Sequence, residues 1–323
     1  PAGLGRRGGG GAAVADRGGG LLGGGAGGPA WSPGSSLECL VKILSIQSWV
    51  SHGHAGNAAA VFPLQRLGAE VIAVHTVLFS NHTGYGAWRG QIVDAGLVRD
   101  VVLGVEERGA LADTDALLTG YMGNAAIGEA VLEAHERLIR ANPRALWCCD
   151  PVIGDTGRGV FVRPGIPEFF RDRCVALADI LTPNHFELDW LTGRQTRTLA
   201  ELCDAARALM ARGPKRILVT SLHVEDTPAD AIDVLALDAA AAYRVRVPKL
   251  PIVGRGTGDV IAALFLAHTL AGLPPADCLA RAVSSLHGVL AATVAAGREE
   301  MALIAAQAEI VAPARLFTAE RLP

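Results

Sequence analysis

The chain has little excess charge of either sign: its 323 residues carry 29 lysines and arginines against 32 acids, a net charge of −3. A nucleic-acid surface or an anionic membrane calls for a basic excess, so composition argues for neither as a partner. No apolar run of about 18 residues is free of charges and helix breakers, so no membrane-spanning helix is expected. Cysteine is sparse and scattered: Cys39, Cys148, Cys149, Cys174, Cys203 and Cys278 contain one close pair, and that pair is directly adjacent. The spacing fits neither a CxxC metal site nor a disulfide framework, and it points to a reducing compartment. Two nucleotide-binding signatures are missing too. There is no P-loop GxxxxGK[ST], and no GxGxxG opens a strand–loop–helix unit.

Glycine and alanine fill the first 36 residues, PAGLGRRGGGGAAVADRGGGLLGGGAGGPAWSPGSS. Such a segment has little to bury and a high ordering cost, so residues 1–38 are expected to be a disordered low-complexity tail. Arg6, Arg7 and Arg17 against the single acid Asp16 are compatible with an organelle transit peptide, but serine is scarce until the end. The low-complexity tail is the preferred reading.

From Val41 onward a pattern repeats. Short apolar runs (KILSIQS, EVIAVHTVLFS, DALLTGYMG, RALWCCDPVIG, ADILTPN, KRILVTSL) end in small or polar residues. Their length and β-branched content suit strands buried on both faces. Helical stretches fall between them, at Asn57–Leu67, Asn124–Ala141, Phe186–Leu191 and Leu199–Arg212. Pro63 should kink the first of these. Asp230–Val247 reads as two strands around DAAA. Three helices, Asp259–Ala271, Ala276–Ala296 and Glu299–Ile310, are expected to close the chain. The alternation predicts an α/β fold, a mostly parallel sheet with helices on both sides, in one domain over residues 39–323.

Open α/β sheets bind ligands beyond the carboxyl ends of their strands. The polar residues there are Ser48, Ser80-Asn81-His82-Thr83, Tyr121, Asp150, Thr182 with Asn184 and Glu187, and Thr220-Ser221. The stretch GRGTGD, Gly254 to Asp259, adds a glycine loop at the mouth of an apolar helix. A helix N-terminus offers unpaired N–H groups and partial positive charge, and glycines let a ligand approach the backbone. The loop is therefore an anion nest suited to phosphate. Asp259 has two readings here, a helix cap or a catalytic acid beside the anion. Phosphate transfer to an alcohol needs such a nest, a base near the hydroxyl and a metal on the nucleotide. Asp150 and Glu187 are hard oxygen donors that can organise Mg²⁺ directly or through water. Singly, they read equally well as a turn residue before Pro151 and a solvated helix residue.

The sequence resembles the pyridoxal kinases of the ribokinase superfamily. The matching stretches are LSIQSWVSHGHAGNAAAVFPLQRLGAEV, FSNHTGYG, LTGYMG, CDPVIGD, ADILTPNHFEL, ILVTS and GTGD, in order over most of residues 43–290. GTGD alone marks the superfamily. QS followed by GNxAAxFPLQRLG and FSNHTGY is more specific and sets the pyridoxal group apart. The resemblance implies a three-layer α/β/α ribokinase-like fold, MgATP as phosphoryl donor and the 5′-hydroxymethyl group of pyridoxal, pyridoxine or pyridoxamine as acceptor. Ser48 and Thr83 match contacts to the pyridine ring, and His82 and Tyr121 line the same pocket. Asp150, Asn184 and Glu187 match positions around MgATP, the last two as an NxxE pattern. Thr220 and Ser221 match nucleotide-phosphate contacts, and Thr182 and Thr220 fall where the family holds a monovalent cation such as K⁺. Gly256, Thr257 and Gly258 match the anion hole, and Asp259 the base. A cytoplasmic homodimer is expected.

Some features depart from that pattern. The loop TGRGVFVRPG after Asp155 is shorter than the one that covers ATP in animal members. Arg255 stands where many members carry an apolar residue, and it either reaches nucleotide phosphate or lies in solvent. His52 and His54 sit in WVSHGHAGN, where His54 reads as a rim or packing residue, since no partner has ligand spacing. Two rivals remain: a kinase of another hydroxymethyl heterocycle such as a pyrimidine, and a non-catalytic vitamer-binding protein. A substrate panel separates the first, and binding without ADP formation would mark the second.

Overall fold

The computed structural model describes residues 41–323, and the tail expected over 1–38 lies outside the described residues. The described residues form one compact unit. In chain order its strands are β1 (Lys42–His52), β2 (Glu70–Asn81), β3 (Gly90–Ile92), β4 (Ala116–Thr119), β5 (Leu146–Cys149), β6 (Gly154–Asp155), β7 (Gly159–Val160), β8 (Ile180–Leu181), β9 (Arg216–Leu222), β10 (Ala231–Asp238), β11 (Ala242–Pro248) and β12 (Glu320–Arg321). The helices are α1 (Asn57–Arg66), α2 (Ala95–Glu107), α3 (Ala125–Ala141), α4 (Ile166–Phe169), α5 (His185–Thr192), α6 (Leu199–Met210), α7 (Thr257–Leu270), α8 (Pro275–Ala295) and α9 (Gln307–Val311).

Ten strands make one sheet in the order β12-β11-β10-β9-β8-β5-β4-β1-β2-β3. The stretch from β9 to β2 is parallel throughout, and its strands are the six apolar runs of the sequence. Antiparallel strands close both edges. One is the expected hairpin β10–β11, whose turn is fixed by Asp238 accepting from the N–H groups of Ala240 and Ala241 at 2.8 and 3.0 Å.

Side chains along the central strands alternate between two cores, as the period of a strand requires. Leu44, Ile46, Leu117, Trp147 and Val219 face a layer built from α2, α3, α5 and α6. Ile43, Leu118, Cys148 and Leu218 face α1, α7 and α8. Both faces are dry, so the strand runs read as continuously apolar. By length and composition α8 could cross a membrane, but here it packs in the core, with Cys278, Leu279, Ala282 and Val289 buried.

Two local readings need correction. Helix α2 was not foreseen. Asp94 caps it by accepting the Gly96 N–H, while Leu97 and Val101 stay exposed opposite buried Val98 and Val102, which blurs the helical stripe. The third closing helix, expected over Glu299–Ile310, is reduced to α9. Met301, Ala302 and Leu303 are drawn into the core, and the Ala302 N–H goes to Thr293 Oγ1 at 2.9 Å, not to a helical carbonyl. Helix α1 runs through buried Pro63 and stops at Arg66.

Candidate active site

Of the residues singled out at the strand ends and in the glycine loop, all but Ser80 and Asn81 line one cavity of about 600 Å³. Those two instead hold the following turn, Ser80 Oγ accepting the Arg89 N–H and Asn81 Nδ2 donating to the Ala87 carbonyl. It lies across the carboxyl ends of β1, β2, β4, β5, β8 and β9 and the start of α7. The topology explains the convergence: parallel strands deliver their carboxyl ends to the same edge.

At the centre is the start of α7. Gly256 is the N-cap residue, with φ 74°, in the left-handed region that glycine tolerates. A Cβ there would also collide with the His54 carbonyl. Thr257 Oγ1 donates to the Gly254 carbonyl at 2.8 Å and closes the turn. The first N–H groups of α7 have no helical acceptor and remain for an anion. Asp259 sits three residues past the cap, so it is not the N-cap residue. Its own backbone N–H and that of Gly56 face its carboxylate and favour the charged form, but burial outweighs them and pushes its pKa from 3.8 up to about 6. Gly56 was not foreseen as part of the site. The signal lay in WVSHGHAGN, where a glycine precedes α1 and presses against Ser48, leaving no room for a Cβ.

Two more acids lie alongside. Asp150, 6 % exposed, follows β5 directly, and its Oδ1 accepts from Thr182 Oγ1 at 3.0 Å. Burial, then the charges of Glu187 and Asp259, push its pKa well above the carboxylate range. Glu187 is equally buried. Its Oε1 accepts from Ile153 N–H at 2.9 Å and Gly154 N–H at 3.4 Å, and its Oε2 from Asn184 N–H at 2.9 Å. Asn184 Oδ1 returns the bond to Glu187 N–H at 2.9 Å. The NxxE pattern is thus a capping box for α5 that also pins the Ile153–Gly154 backbone. Burial still raises Glu187 to about 7. No basic side chain offsets any of the three acids.

That uncompensated charge is a setting for a cation. Among the described residues no three His, Cys, Asp or Glu side chains cluster as a metal cage. Mg²⁺ does not need one, since it commonly takes one or two carboxylates plus substrate phosphates. The residues present fit that mode, with Asp150 the better direct donor because both Glu187 oxygens are committed to backbone N–H groups.

On the acceptor side, a register shift between β1 and β2 at Gln47–Trp49 breaks the ladder around Ser48, which is buried at the cavity wall. His82 Nδ1 accepts the Gly84 N–H at 3.0 Å and shapes the turn that carries Thr83. Burial, then Arg158 and Arg255, hold the His82 pKa down. Tyr121 is placed by Thr76 Oγ1, which donates to its carbonyl at 2.6 Å. Val50, Val77, Phe79, Trp88 and Ile92 supply apolar walls that sequence reasoning did not assign. Phe79 and Trp88 have ring centroids 4.1 Å apart.

On the opposite side, Thr220 and Ser221 end β9. Ser221, at φ 53°, is the one non-glycine residue with positive φ among those described. Such strain concentrates at functional sites. Arg158, Phe161 and Arg163, from the TGRGVFVRPG loop, also line the cavity, with Arg158 close enough to His82 and Arg163 close enough to Tyr121 to act on their charge. Arg255 lines the cavity, with its guanidinium 3.9 Å from the centre of the Tyr85 ring.

A layered α/β/α sheet with an anion nest, a raised aspartate and a cation setting at the strand ends defines a small-molecule kinase. A family model described as phosphomethylpyrimidine kinase matches residues 52–303. Curated relatives are more specific. The chain is 53 % identical over 284 residues to pyridoxal kinase PdxY of Granulibacter bethesdensis, covering 87 % of this chain and 99 % of that protein. It is 50 % identical to the protein of the same name in Rubrobacter xylanophilus, covering 87 % and 98 %. Among solved structures, pyridoxal kinase from Leishmania donovani in complex with ADP and pyridoxamine superposes with a TM-score of 0.80 at 30 % identity, covering 87 % of this chain and 99 % of that one. The chain belongs to the pyridoxal kinase family.

Proposed function

We propose that this protein transfers the γ-phosphoryl group of ATP to the 5′-hydroxymethyl group of pyridoxal, pyridoxine or pyridoxamine. The observation that carries the reading is the position of Asp259. It lines one cavity together with Ser48, Thr83, His82 and Tyr121, among apolar residues, and with the polar Asp150, Asn184, Thr220 and Ser221.

With its pKa near 6, Asp259 is largely ionised at neutral pH yet basic enough to accept the hydroxyl proton. The N–H groups of Gly256, Thr257 and Gly258 meet the charge on the transferring phosphoryl group, and the alcohol oxygen attacks phosphorus as its proton passes to Asp259. Asp150, with Glu187 acting through water, would hold Mg²⁺, which would supply neutralisation of phosphate charge when bound with ATP. Thr182 and Thr220 would hold a monovalent cation, with K⁺ the expected ion. A homodimer in the cytoplasm completes the proposal; light scattering tests the dimer and fractionation its location.

ADP release in a coupled assay with each vitamer, with and without K⁺, tests the reading. Turnover with pyridoxal and stimulation by K⁺ are expected. Turnover confined to a hydroxymethylpyrimidine would transfer the chain to the first rival, a kinase of another hydroxymethyl heterocycle. Vitamer binding without ADP formation would leave only a binding protein.

A further inference from the structure

Glu300 lies in the turn after α8, far in sequence from the site, and its carboxylate joins two parts of it. Oε2 accepts the His54 N–H at 3.0 Å, and Oε1 accepts the Tyr85 hydroxyl. The fit is close. Gly53, at φ 82°, backs directly onto the carboxylate, and a Cβ there would collide with it. No basic side chain forms an ion pair with Glu300 among the described residues.

Each partner leads to the glycine loop. The His54 carbonyl abuts Gly256, and two residues on, the Gly56 N–H faces the Asp259 carboxylate. Tyr85 carries the Arg255 guanidinium on its ring, and it ends the short turn that begins at Thr83. One carboxylate therefore ties the acceptor turn to the loop behind the anion nest. A surface acid with only a stabilising role has no reason to be shared between these two segments.

We infer that Glu300 is a positioning residue for phosphoryl transfer, holding the acceptor turn and the 53–56 loop in register around Asp259. The inference rests on the kinase reading above. It concerns the reaction geometry and not ATP affinity, because neither of its partners lies on the wall formed by Thr220, Ser221 and Asn184.

The test compares Glu300→Ala, Glu300→Gln and Tyr85→Phe in steady-state kinetics, with melting temperature and ATP-analogue calorimetry to certify folding. Misplacing a reacting group by about 1 Å can cost about 100-fold in rate. Glu300→Ala should lose about 10- to 100-fold in kcat and raise KM for pyridoxal, with KM for ATP within about twofold. Glu300→Gln keeps one acceptor oxygen and should recover part of the loss. Tyr85→Phe removes one of the two ties and should be milder, and the Tyr85→Phe/Glu300→Ala double variant should be no worse than Glu300→Ala, as expected for residues that act as a unit. Wild-type turnover with an unchanged kcat in Glu300→Ala would overturn the inference and leave the kinase reading intact, whereas absence of wild-type turnover would overturn the reading itself. Equal loss of kcat and of ATP affinity, additive single variants, or an unfolded Glu300→Ala paired with wild-type kinetics in Tyr85→Phe would also overturn it.

Discussion

Asp259→Asn separates catalysis from stability at the point where they conflict. Asparagine keeps the shape and one accepting oxygen for the backbone N–H groups that face it. It removes the charge that burial disfavours. The rise of the Asp259 pKa from 3.8 to about 6 means that folding holds a proton the unfolded chain releases. Wild-type stability from this group is therefore fully present below about pH 4 and is lost as pH rises to about 6. At ~1.4 kcal/mol per pH unit this amounts to at most ~3 kcal/mol. Because the side chain is only half-buried, we expect a gain of about 1–3 kcal/mol for the asparagine variant at pH 8, vanishing near pH 4. Turnover should move the other way, falling about 10²- to 10⁴-fold, the usual worth of a general base. Thermal melts from pH 4 to 8 and single-turnover ADP formation check both halves. A variant with near-native turnover would reduce Asp259 to a helix-end residue, and a variant less stable at pH 8 than at pH 4, relative to wild type, would refute the burial argument.

Four further outcomes follow from the same geometry. The kcat/KM profile of the wild type should fall about tenfold per pH unit below about 6, as Asp259 takes up its proton, and a flat profile to pH 5 would exclude it as the base. Gly256→Ala should destabilise by at least ~1–2 kcal/mol, since the left-handed backbone and the His54 carbonyl both resist a Cβ, and the loss should appear in denaturant melts together with lost turnover. Glu187→Gln turns a side-chain N–H against one of three backbone N–H donors, so it should cost ~1–3 kcal/mol in melts and raise KM for ATP. Ser48→Ala and Thr83→Ala should raise KM for pyridoxal and leave that for ATP within about twofold; equal changes in both would disprove their placement on the acceptor side.

The parallel core of the sheet was legible because its strands are buried on both faces and read as unbroken apolar runs. Asp150, Thr182 and Ser221 could be placed on one edge because parallel strands leave them no other. The glycine loop was legible for a physical reason as well: Gly256 stands where both φ and the His54 carbonyl forbid a side chain. Contacts that join distant segments were not legible. Glu300 meets His54 and Tyr85 only after the helical layer is packed, and the Gly56 N–H reaches Asp259 only across the fold. Glu187 was assigned as a metal donor on residue type, and only the coordinates show its oxygens spent on Ile153, Gly154 and Asn184. Residues 299–306 misled because burial of Met301 and Leu303 outweighed local helical preference.

The central claim is that the Asp259 nest phosphorylates a pyridine alcohol. It is tested most directly by kcat/KM for pyridoxal against hydroxymethylpyrimidine, with saturating MgATP and product identified by phosphorus NMR. A site that pairs polar groups with one ring should reject a ring that leaves them unpaired by about 10²-fold or more. We predict that preference for pyridoxal, with phosphate on its 5′ oxygen. Equal or greater efficiency with the pyrimidine, or phosphate on any other oxygen, would contradict the account.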